Sequence, residues 1–306
     1  MNSETNQPIA ENLQNNPESL WGPKRHEYIA MQADKRLTAK AKDAIGEILK
    51  PIKQSSLGEI ANWADVIKGG GYKDDAETQQ FLKEFPNMVH KQWHFVDLPL
   101  GVTSYDSKKY SPFVNETDVV QMIAKCVRVL QGNLEIMSKV NALRWLAHLI
   151  GDLHQPLHVG CTYIDFGAEN PELISDPEEI IKKSLTKSSD HGGNLLILPL
   201  DGDVTLHSYW DSKIPSSPPS VTTISEIKIN IPDGSPDKWG EVWAFDTVLK
   251  SRIAYQPLKI AGKVGKKFRL AWESKEAYDK ICAPIVTEQL ALGSERLAAL
   301  VNRIFQ

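Results

Sequence analysis

The sequence lacks the features that mark membrane proteins and small disulfide-stabilised proteins. None of its 306 residues belong to an apolar run long enough to span a membrane. Only three cysteines are present, an odd number that cannot form a fully paired disulfide framework. The segment 1–20 is polar, with neither a basic start nor an apolar centre, so it does not resemble a secretory signal. We therefore predict a disordered leader over 1–20 and one domain over 21–306.

An excess of basic residues is also missing. The chain has 35 Lys and Arg against 39 Asp and Glu, which gives a formal net charge of −4. The charge balance therefore does not indicate a broad basic face for duplex DNA, and any affinity for phosphate must be local. Hydrophobic residues at 41% and charged residues at 24% are typical of a globular chain with a buried core.

Helical periodicity dominates what is present. Ser56 and Glu59 form a capping-box pattern before an amphipathic helix that glycines at 69–71 should end. Apolar residues at helical spacing predict further core helices over 117–138 and 284–304.

Strand character is confined to a short part of the chain. The run 195–200 is apolar and is followed by Asp201 and Gly202, a turn pair. The stretch 161–190 is acidic and then rich in Ser and Lys, which predicts an exposed loop. The expected fold is a mainly α single domain with at most a small β-hairpin.

The placement of histidine relative to aspartate is the informative feature. Apolar residues surround the helix carrying His148 and Asp152 almost completely, which predicts that both are buried. A buried carboxylate costs roughly several kcal/mol unless it is paired or binds a metal. His207 and Asp211 repeat the same four-residue step, and His158 follows the first pair. Either pair alone is more typical of a salt bridge or a core histidine. The presence of both pairs favours zinc ligands, because each four-residue step places a histidine and an aspartate on the same face of its own helix.

The remaining histidines carry less information. His94 alone is more typical of a core histidine, Asp65 alone of a solvated carboxylate, and His26 gives no signal by itself. His154 is six residues after His148, which rotates it away from the face of His148, and His90 and His191 lie in polar surroundings. We therefore predict that these three histidines are not ligands.

Taken in order, these residues carry a family resemblance. The motifs are Trp21-x4-His26, WAD ending at Asp65, WHFVD around His94, HLIGDLHQPLH, the GGN at 192–194 and HSYWD. This series resembles the ligand set of the three-zinc, single-strand-specific nucleases of the S1/P1 type, whose fold is also similar to that of zinc phospholipase C. The similarity covers about 21–305, fills all nine ligand positions and implies a mainly helical fold.

The resemblance implies three zinc ions. Its ligands form three sets, of which the first two share Asp152: Asp65, His94 and His148; Trp21 and His26; His158, His207 and Asp211. In the second set Trp21 contributes its amino nitrogen and carbonyl oxygen. Asp65 and Asp152 are thereby the expected catalytic carboxylates, and Asn194 matches the position that contacts substrate near the phosphate.

The implied reaction is hydrolysis of single-stranded DNA and RNA to 5′-phosphate products, with 3′-nucleotidase activity. Two close metals bridged by one carboxylate acidify a bound water for in-line attack, and a third neutralises the departing 3′ oxygen. Single-stranded nucleic acid and nucleotides are the expected substrates, and no protein partner is implied. The resemblance suggests a secreted or periplasmic location, although no signal peptide is visible in this chain.

The sequence leaves two other functions open. A zinc phospholipase C shares the Trp-initiated cluster, but it should present an apolar rim and does not need the GGN segment. A non-catalytic helical protein with structural zinc is the other alternative, although structural sites are usually closed and rich in cysteine. The basic run Lys263, Lys266, Lys267 and Arg269 is either a guide for a phosphate backbone or a solvated face.

The position of Trp21 generates a prediction about the leader. A peptide nitrogen has its lone pair delocalised into the amide, so Trp21 can supply a nitrogen ligand only as the first residue of the chain. A shortened chain beginning at Trp21 should therefore bind more zinc and cleave faster than the 306-residue chain, as measured by intact mass, elemental analysis and initial rates. Equal zinc content and equal rates in the two forms would show that the amine is dispensable.

Overall fold

The computed structural model describes residues 22–72, 74–217, 219–220, 227 and 229–306. The predicted leader over 1–20 and Trp21 lie outside the described residues. The α-helices are α1 (Pro23–Asp34), α2 (Ala39–Leu49), α3 (Leu57–Ile60), α4 (Trp63–Lys68), α5 (Ala76–Glu84), α6 (Val119–Leu130), α7 (Lys139–Leu153), α8 (Pro177–Lys182), α9 (Leu206–Ser212), α10 (Trp239–Tyr255) and α11 (Lys275–Ile304). Short 3-10 turns cover Lys50–Ile52, Val89–Gln92, Pro156–His158 and Pro236–Lys238.

Within the described ranges, two small sheets accompany the helices. Their strands are β1 (Leu98–Pro99), β2 (Gly160–Cys161), β3 (Leu196–Ile197), β4 (Lys259–Val264) and β5 (Lys267–Ala271). β1 pairs with β2 in parallel, whereas β5 lies between β3, its parallel neighbour, and β4, its antiparallel neighbour. The predicted mainly α fold is confirmed. The hairpin, however, is β4–β5, and the strand expected over 195–200 has only two residues.

The helix predicted after Ser56 is interrupted. Ser56 and Glu59 do form the capping box, but α3 ends at Ile60 and a turn precedes α4. At this break the carbonyl oxygen of Ala61 accepts a hydrogen bond from Nδ1 of His148, at 2.8 Å. The interruption thus supplies a backbone acceptor to a histidine of the predicted metal site.

Other predicted boundaries also differ from the structure. α11 begins nine residues before the predicted 284, at Lys275, and contains Pro284 within it. α6 is shorter than the predicted 117–138, because Gly132 adopts a left-handed conformation just beyond its end. The predicted exposed loop over 161–190 is wrong in part, since it contains α8 and a buried Tyr163.

α7 is the central helix of the fold. Every one of its residues after Lys139 is buried. It contacts α6, α1, α3, α4 and α11, and α2, α5 and α10 to a lesser extent. The burial predicted from its apolar sequence is therefore confirmed, and it places His148 and Asp152 inside the protein.

The end of α7 is held by side chains from the two longest helices. Carbonyl oxygens in the last turn of a helix have no partner within the helix itself. Three carbonyl oxygens at the end of α7 or just beyond it accept hydrogen bonds from side chains. Thr247 Oγ1 donates to the Leu153 carbonyl at 2.8 Å, Gln289 Nε2 to the His154 carbonyl at 2.9 Å and Ser251 Oγ to the Pro156 carbonyl at 2.7 Å. These contacts fix the point at which the chain leaves Asp152 and turns towards His158.

The described residues contain neither a membrane-spanning helix nor a disulfide. No helix in the described parts of the chain is both long and apolar enough to cross a bilayer. Cys126, Cys161 and Cys282 are all free and buried. Burial raises the pKa of each thiol.

The contacts at the end of α7 generate a stability prediction. Thr247→Val keeps the shape of the side chain but leaves the Leu153 carbonyl without its donor, so we expect the free energy of unfolding to fall by about 1–3 kcal/mol. Thr287→Val on α11 is the matched control, because its hydroxyl makes a longer bond of 3.3 Å to a helical carbonyl. Denaturant unfolding of both variants measures the difference. Equal losses would contradict a specific role for Thr247.

Candidate metal centre

The carboxylate of Asp152 lies where four histidines meet. Its Oδ1 is 3.4 Å from His26 Nε2 and 3.2 Å from His158 Nδ1. Its Oδ2 is 2.9 Å from His94 Nδ1 and 3.2 Å from His148 Nε2. The side chain is only 2% exposed. Helices α1 and α7, the segment before β1 and the turn after α7 therefore converge on one buried carboxylate.

Two groups of side chains that could hold a metal ion share this region. One consists of His26, His148 and Asp152, and the other of Asp65, His94 and His148. Within each group the ligand atoms lie within 4.8 Å of one another. The His26 ring stacks on the His148 ring with centroids 3.9 Å apart, so the two groups are directly adjacent.

A third group reaches the Asp152 carboxylate through His158. It consists of His158, His207 and Asp211, whose two imidazole rings stack with centroids 5.0 Å apart. His207 Nε2 is 3.3 Å from Asp211 Oδ2, and Gln155 donates a hydrogen bond to Oδ1 at 2.9 Å. The structure thus brings together eight of the nine predicted ligands. The ninth, Trp21, lies outside the described residues.

Backbone carbonyls orient several of these histidines. His148 donates Nδ1–H to the Ala61 carbonyl and His207 donates Nδ1–H to the Gly192 carbonyl, each at 2.8 Å. In a neutral imidazole this leaves Nε2 as an acceptor facing the carboxylates. Such a hydrogen bond is the usual support of a metal-binding histidine.

The donor set fits zinc. Imidazole nitrogens and carboxylate oxygens without cysteine are typical of open, catalytic zinc sites. Ligand atoms around a tetrahedral zinc at about 2.0–2.1 Å lie about 3.3 Å apart. The distances from His148 Nε2 to His94 Nδ1, Asp152 Oδ2 and Asp65 Oδ1 are 3.1, 3.2 and 3.7 Å, which agree with that spacing.

Burial and the mutual attraction of these groups shift their pKa values in opposite directions. Burial by itself raises the pKa of Asp152. The facing His148, His158 and His94 lower this pKa by more than burial raises it, so it lies well below the ordinary value. Burial lowers the pKa of His94 to about 3. Burial also lowers the pKa of His148, but the negative charges of Asp152 and Asp65 more than offset this, so the pKa of His148 is raised. These directions favour an ionised Asp152 and a neutral His94, the protonation states that bind zinc, whereas His148 retains its proton more readily and must give it up when it binds a metal.

A second buried carboxylate holds the GGN segment. Asp190 accepts hydrogen bonds from Thr162 Oγ1 at 2.6 Å, from the Gly193 amide at 2.9 Å and from the Tyr255 hydroxyl at 3.2 Å. Burial raises the pKa of Asp190 to about 6. The residue after it, His191, and both glycines have positive φ. This loop therefore follows a path that few side chains tolerate, and the path places the Gly192 carbonyl against His207.

Asn194 lies at the rim of a cavity beside two of the three groups. The cavity has a volume of about 220 Å³ and is also lined by His94, His158 and His207. Asn194 is exposed, and its side chain donates to the His191 carbonyl at 2.9 Å. The predicted substrate-contacting residue is therefore next to the histidines of two groups.

Several residues of this cavity were not predicted from the sequence. Lys68 places Nζ 2.7 Å from Asp65 Oδ1, and its spacing of three from Asp65 on α4 was the signal that could have found it. Phe95, 37% exposed, and Asp97 also line the cavity, and both belong to the WHFVD motif. His191 lines it as well, although it belongs to none of the three groups.

The two other histidines predicted as non-ligands lie away from the groups. His154 Nδ1 contacts the Ile150 carbonyl at 2.7 Å on the opposite side of α7. His90 is buried against Trp93 and Trp145, so the polar surroundings predicted for it are wrong. Trp93 is three residues away in the sequence, whereas Trp145 belongs to α7, a contact that the local sequence does not show.

The site defines a mainly helical protein with three His and Asp groups that could hold metal ions. A model of the S1/P1 Nuclease family matches residues 21–306. Nuclease S1 of Aspergillus oryzae is 24% identical over 317 residues, covering 93% of this chain and 91% of the relative. Endonuclease 4 and Endonuclease 2 of Arabidopsis thaliana are 25% and 24% identical, covering 93% of this chain and 89% and 90% of their own lengths. The chain belongs to the S1/P1 nuclease family, and this supports a nuclease activity of the endonuclease class.

The packing of His26 generates a prediction at Gly151. A Cβ added at Gly151 would lie 2.4 Å from His26 Nδ1 and 2.8 Å from its Cε1, so Gly151→Ala must displace the ring from Asp152. We expect a loss of about tenfold or more in metal affinity, the usual scale when the support of a ligand is disturbed. Gly46→Ala in α2 is the control, since nothing lies within 4 Å of its added Cβ. Zinc titration of both variants tests this, and unchanged affinity in Gly151→Ala would contradict it.

Proposed function

We propose that this protein is a zinc-dependent phosphodiesterase that hydrolyses single-stranded DNA and RNA to 5′-phosphate products. A 3′-nucleotidase activity belongs to the same proposal, and residues 21–306 act as one domain. The observation that carries it is the buried Asp152 carboxylate, which faces four histidines in a chain of the S1/P1 nuclease family.

Three zinc ions would be held by the predicted ligands. Asp65, His94 and His148 would hold one, Trp21 and His26 a second, and His158, His207 and Asp211 a third, with Asp152 shared by the first two. Zinc in such positions polarises a phosphoryl oxygen and lowers the pKa of a coordinated water. The predicted catalytic carboxylates, Asp65 and Asp152, keep these positions negatively charged, because both have pKa values held below their ordinary range.

The chain's own residues would position the substrate. Lys68 at the cavity wall offers a cation to a phosphate, and Asn194 offers an amide at the rim. Phe95 is exposed beside them and offers a ring on which a base can stack, a contact that tolerates every base. These three side chains surround a cavity that reaches His94, so they can orient a phosphate towards the histidine groups.

Preference for single strands follows from the depth of the groups. His148 is completely buried, and His94 and Asp152 are 3% and 2% exposed. A phosphate can approach them only if the backbone bends and an adjacent base leaves its stack, which costs roughly a few kcal/mol in a duplex. Single strands have already lost that pairing, so the proposal requires faster cleavage of single strands.

One comparison of substrates tests the proposal. Zinc-loaded protein is incubated with a non-folding oligonucleotide, a matched duplex, a 3′-nucleotide and phosphatidylcholine, with and without a chelator. We expect chelator-sensitive cleavage of the first and third substrates, slower cleavage of the duplex, and a loss of at least about a hundredfold in Asp152→Asn, which lowers the charge but keeps the shape. Cleavage of phosphatidylcholine alone would favour the phospholipase alternative, and zinc binding with no cleavage of any substrate would favour a structural role.

A further inference from the structure

The β4–β5 hairpin is strongly basic in an acidic protein. The segment 259–271, KIAGKVGKKFRLA, contains four lysines and one arginine but no aspartate or glutamate, while the whole chain has a net charge of −4. Four of these cations fall within the seven residues 263–269 around the turn. The hairpin therefore has a local charge opposite to that of the protein as a whole.

The start of β5 lies close to the rim of the cavity. β5 pairs in parallel with β3, with Leu196 opposite Phe268, and the Phe268 amide donates to the Leu195 carbonyl at 2.8 Å. One residue back along both chains, this register brings Lys267, the first residue of β5, alongside Leu195, the residue after Asn194. Since Asn194 lines the cavity of the metal centre, the start of β5, with Lys267 and the preceding Lys266, is close to the candidate site.

The pleat of β5 turns two of the charges outward. Phe268 and Leu270 are buried beneath the sheet, whereas Arg269 is exposed and Lys267 is half-buried. Lys266 lies in the turn before β5 and is also exposed. Within the described parts of the chain, the side chains of these three cations make no ion pair or hydrogen bond.

The hairpin is also firmly anchored. The Phe268 ring lies 5.5 Å from the Phe166 ring, and Lys263 donates Nζ–H to the Phe166 carbonyl at 3.0 Å. The cations beside the cavity therefore project from a fixed surface. Because the backbone that carries these cations is already ordered, binding an extended anion costs no further ordering of that backbone.

We propose that Lys266, Lys267 and Arg269 form a binding track for the phosphate backbone of single-stranded nucleic acid outside the cavity. This inference rests on the proposed function and adds a second contact region to it. A nucleotide or dinucleotide fills only the cavity, whereas a longer strand continues over Asn194 onto the hairpin. The track should therefore strengthen binding of long strands without altering binding of short ones.

The double variant Lys266→Gln/Lys267→Gln tests the track. Lys40→Gln/Lys42→Gln, on exposed positions of α2, removes the same charge elsewhere and is the matched control. Binding of a long phosphorothioate oligonucleotide, which resists cleavage, is measured over a range of salt concentrations. For the hairpin variant we expect about tenfold weaker binding at ~0.1 M salt and a salt slope shallower by about 1.4, since each contact to a single strand contributes about 0.7. KM for a 3′-nucleotide should stay unchanged.

The outcomes separate this proposal from the proposed function. If the wild-type protein cleaves no nucleic acid, yet binds the oligonucleotide through these lysines, the proposed reaction fails and the track stands. If the hairpin and control variants give the same affinity and the same salt slope, the hairpin is a solvated face and the track is wrong. A loss of binding to vesicles of anionic lipid, with oligonucleotide binding intact, would also overturn it and assign the hairpin to a membrane surface.

Discussion

The burial of one carboxylate inside an apolar helix is the constraint on which the rest of this structure depends. α7 buries every residue after its first, and Asp152 on it can remain ionised only because histidines surround it. An ionised carboxylate without such partners would be strongly unfavourable at that depth. The helices, loops and short strands around α7 thus both cover an apolar surface and deliver imidazoles to one point.

This arrangement couples the site to the whole fold. His26 comes from α1 and Asp211 from α9. The groups therefore assemble only when segments separated by 185 residues in sequence have packed together. The hydrogen bond from Arg25 to the Trp210 carbonyl joins the same two segments. Metal that binds the assembled groups more tightly than the unfolded chain must stabilise the fold. The hydrogen bonds at the end of α7 stabilise the same geometry just beyond Asp152.

The sequence predicted the helical class and the burial of α7 because both follow from local periodicity. It also singled out His148 with Asp152 and His207 with Asp211, since a four-residue step places two side chains on one face of a helix. His94, Asp65 and His26 could be assigned only through the family resemblance, because their partners are distant in sequence. The β4–β5 hairpin was missed, although alternation of Phe268 and Leu270 with cations is a strand signal; its brevity and its glycines weakened that signal. At the break between α3 and α4, the Ala61 carbonyl accepts a hydrogen bond from His148, a long-range contact that no local pattern shows.

The three buried thiols have a consequence for how opening of this protein can be followed. Cys126 lies on α6 against the central helix, Cys161 on β2 next to the cavity loop, and Cys282 on the long terminal helix, so each belongs to a different part of the core. Alkylating reagents react with thiolates in contact with solvent, and burial suppresses both ionisation and contact. Each cysteine is therefore an internal reporter, and its rate of alkylation measures how often its own region opens rather than how stable the molecule is on average.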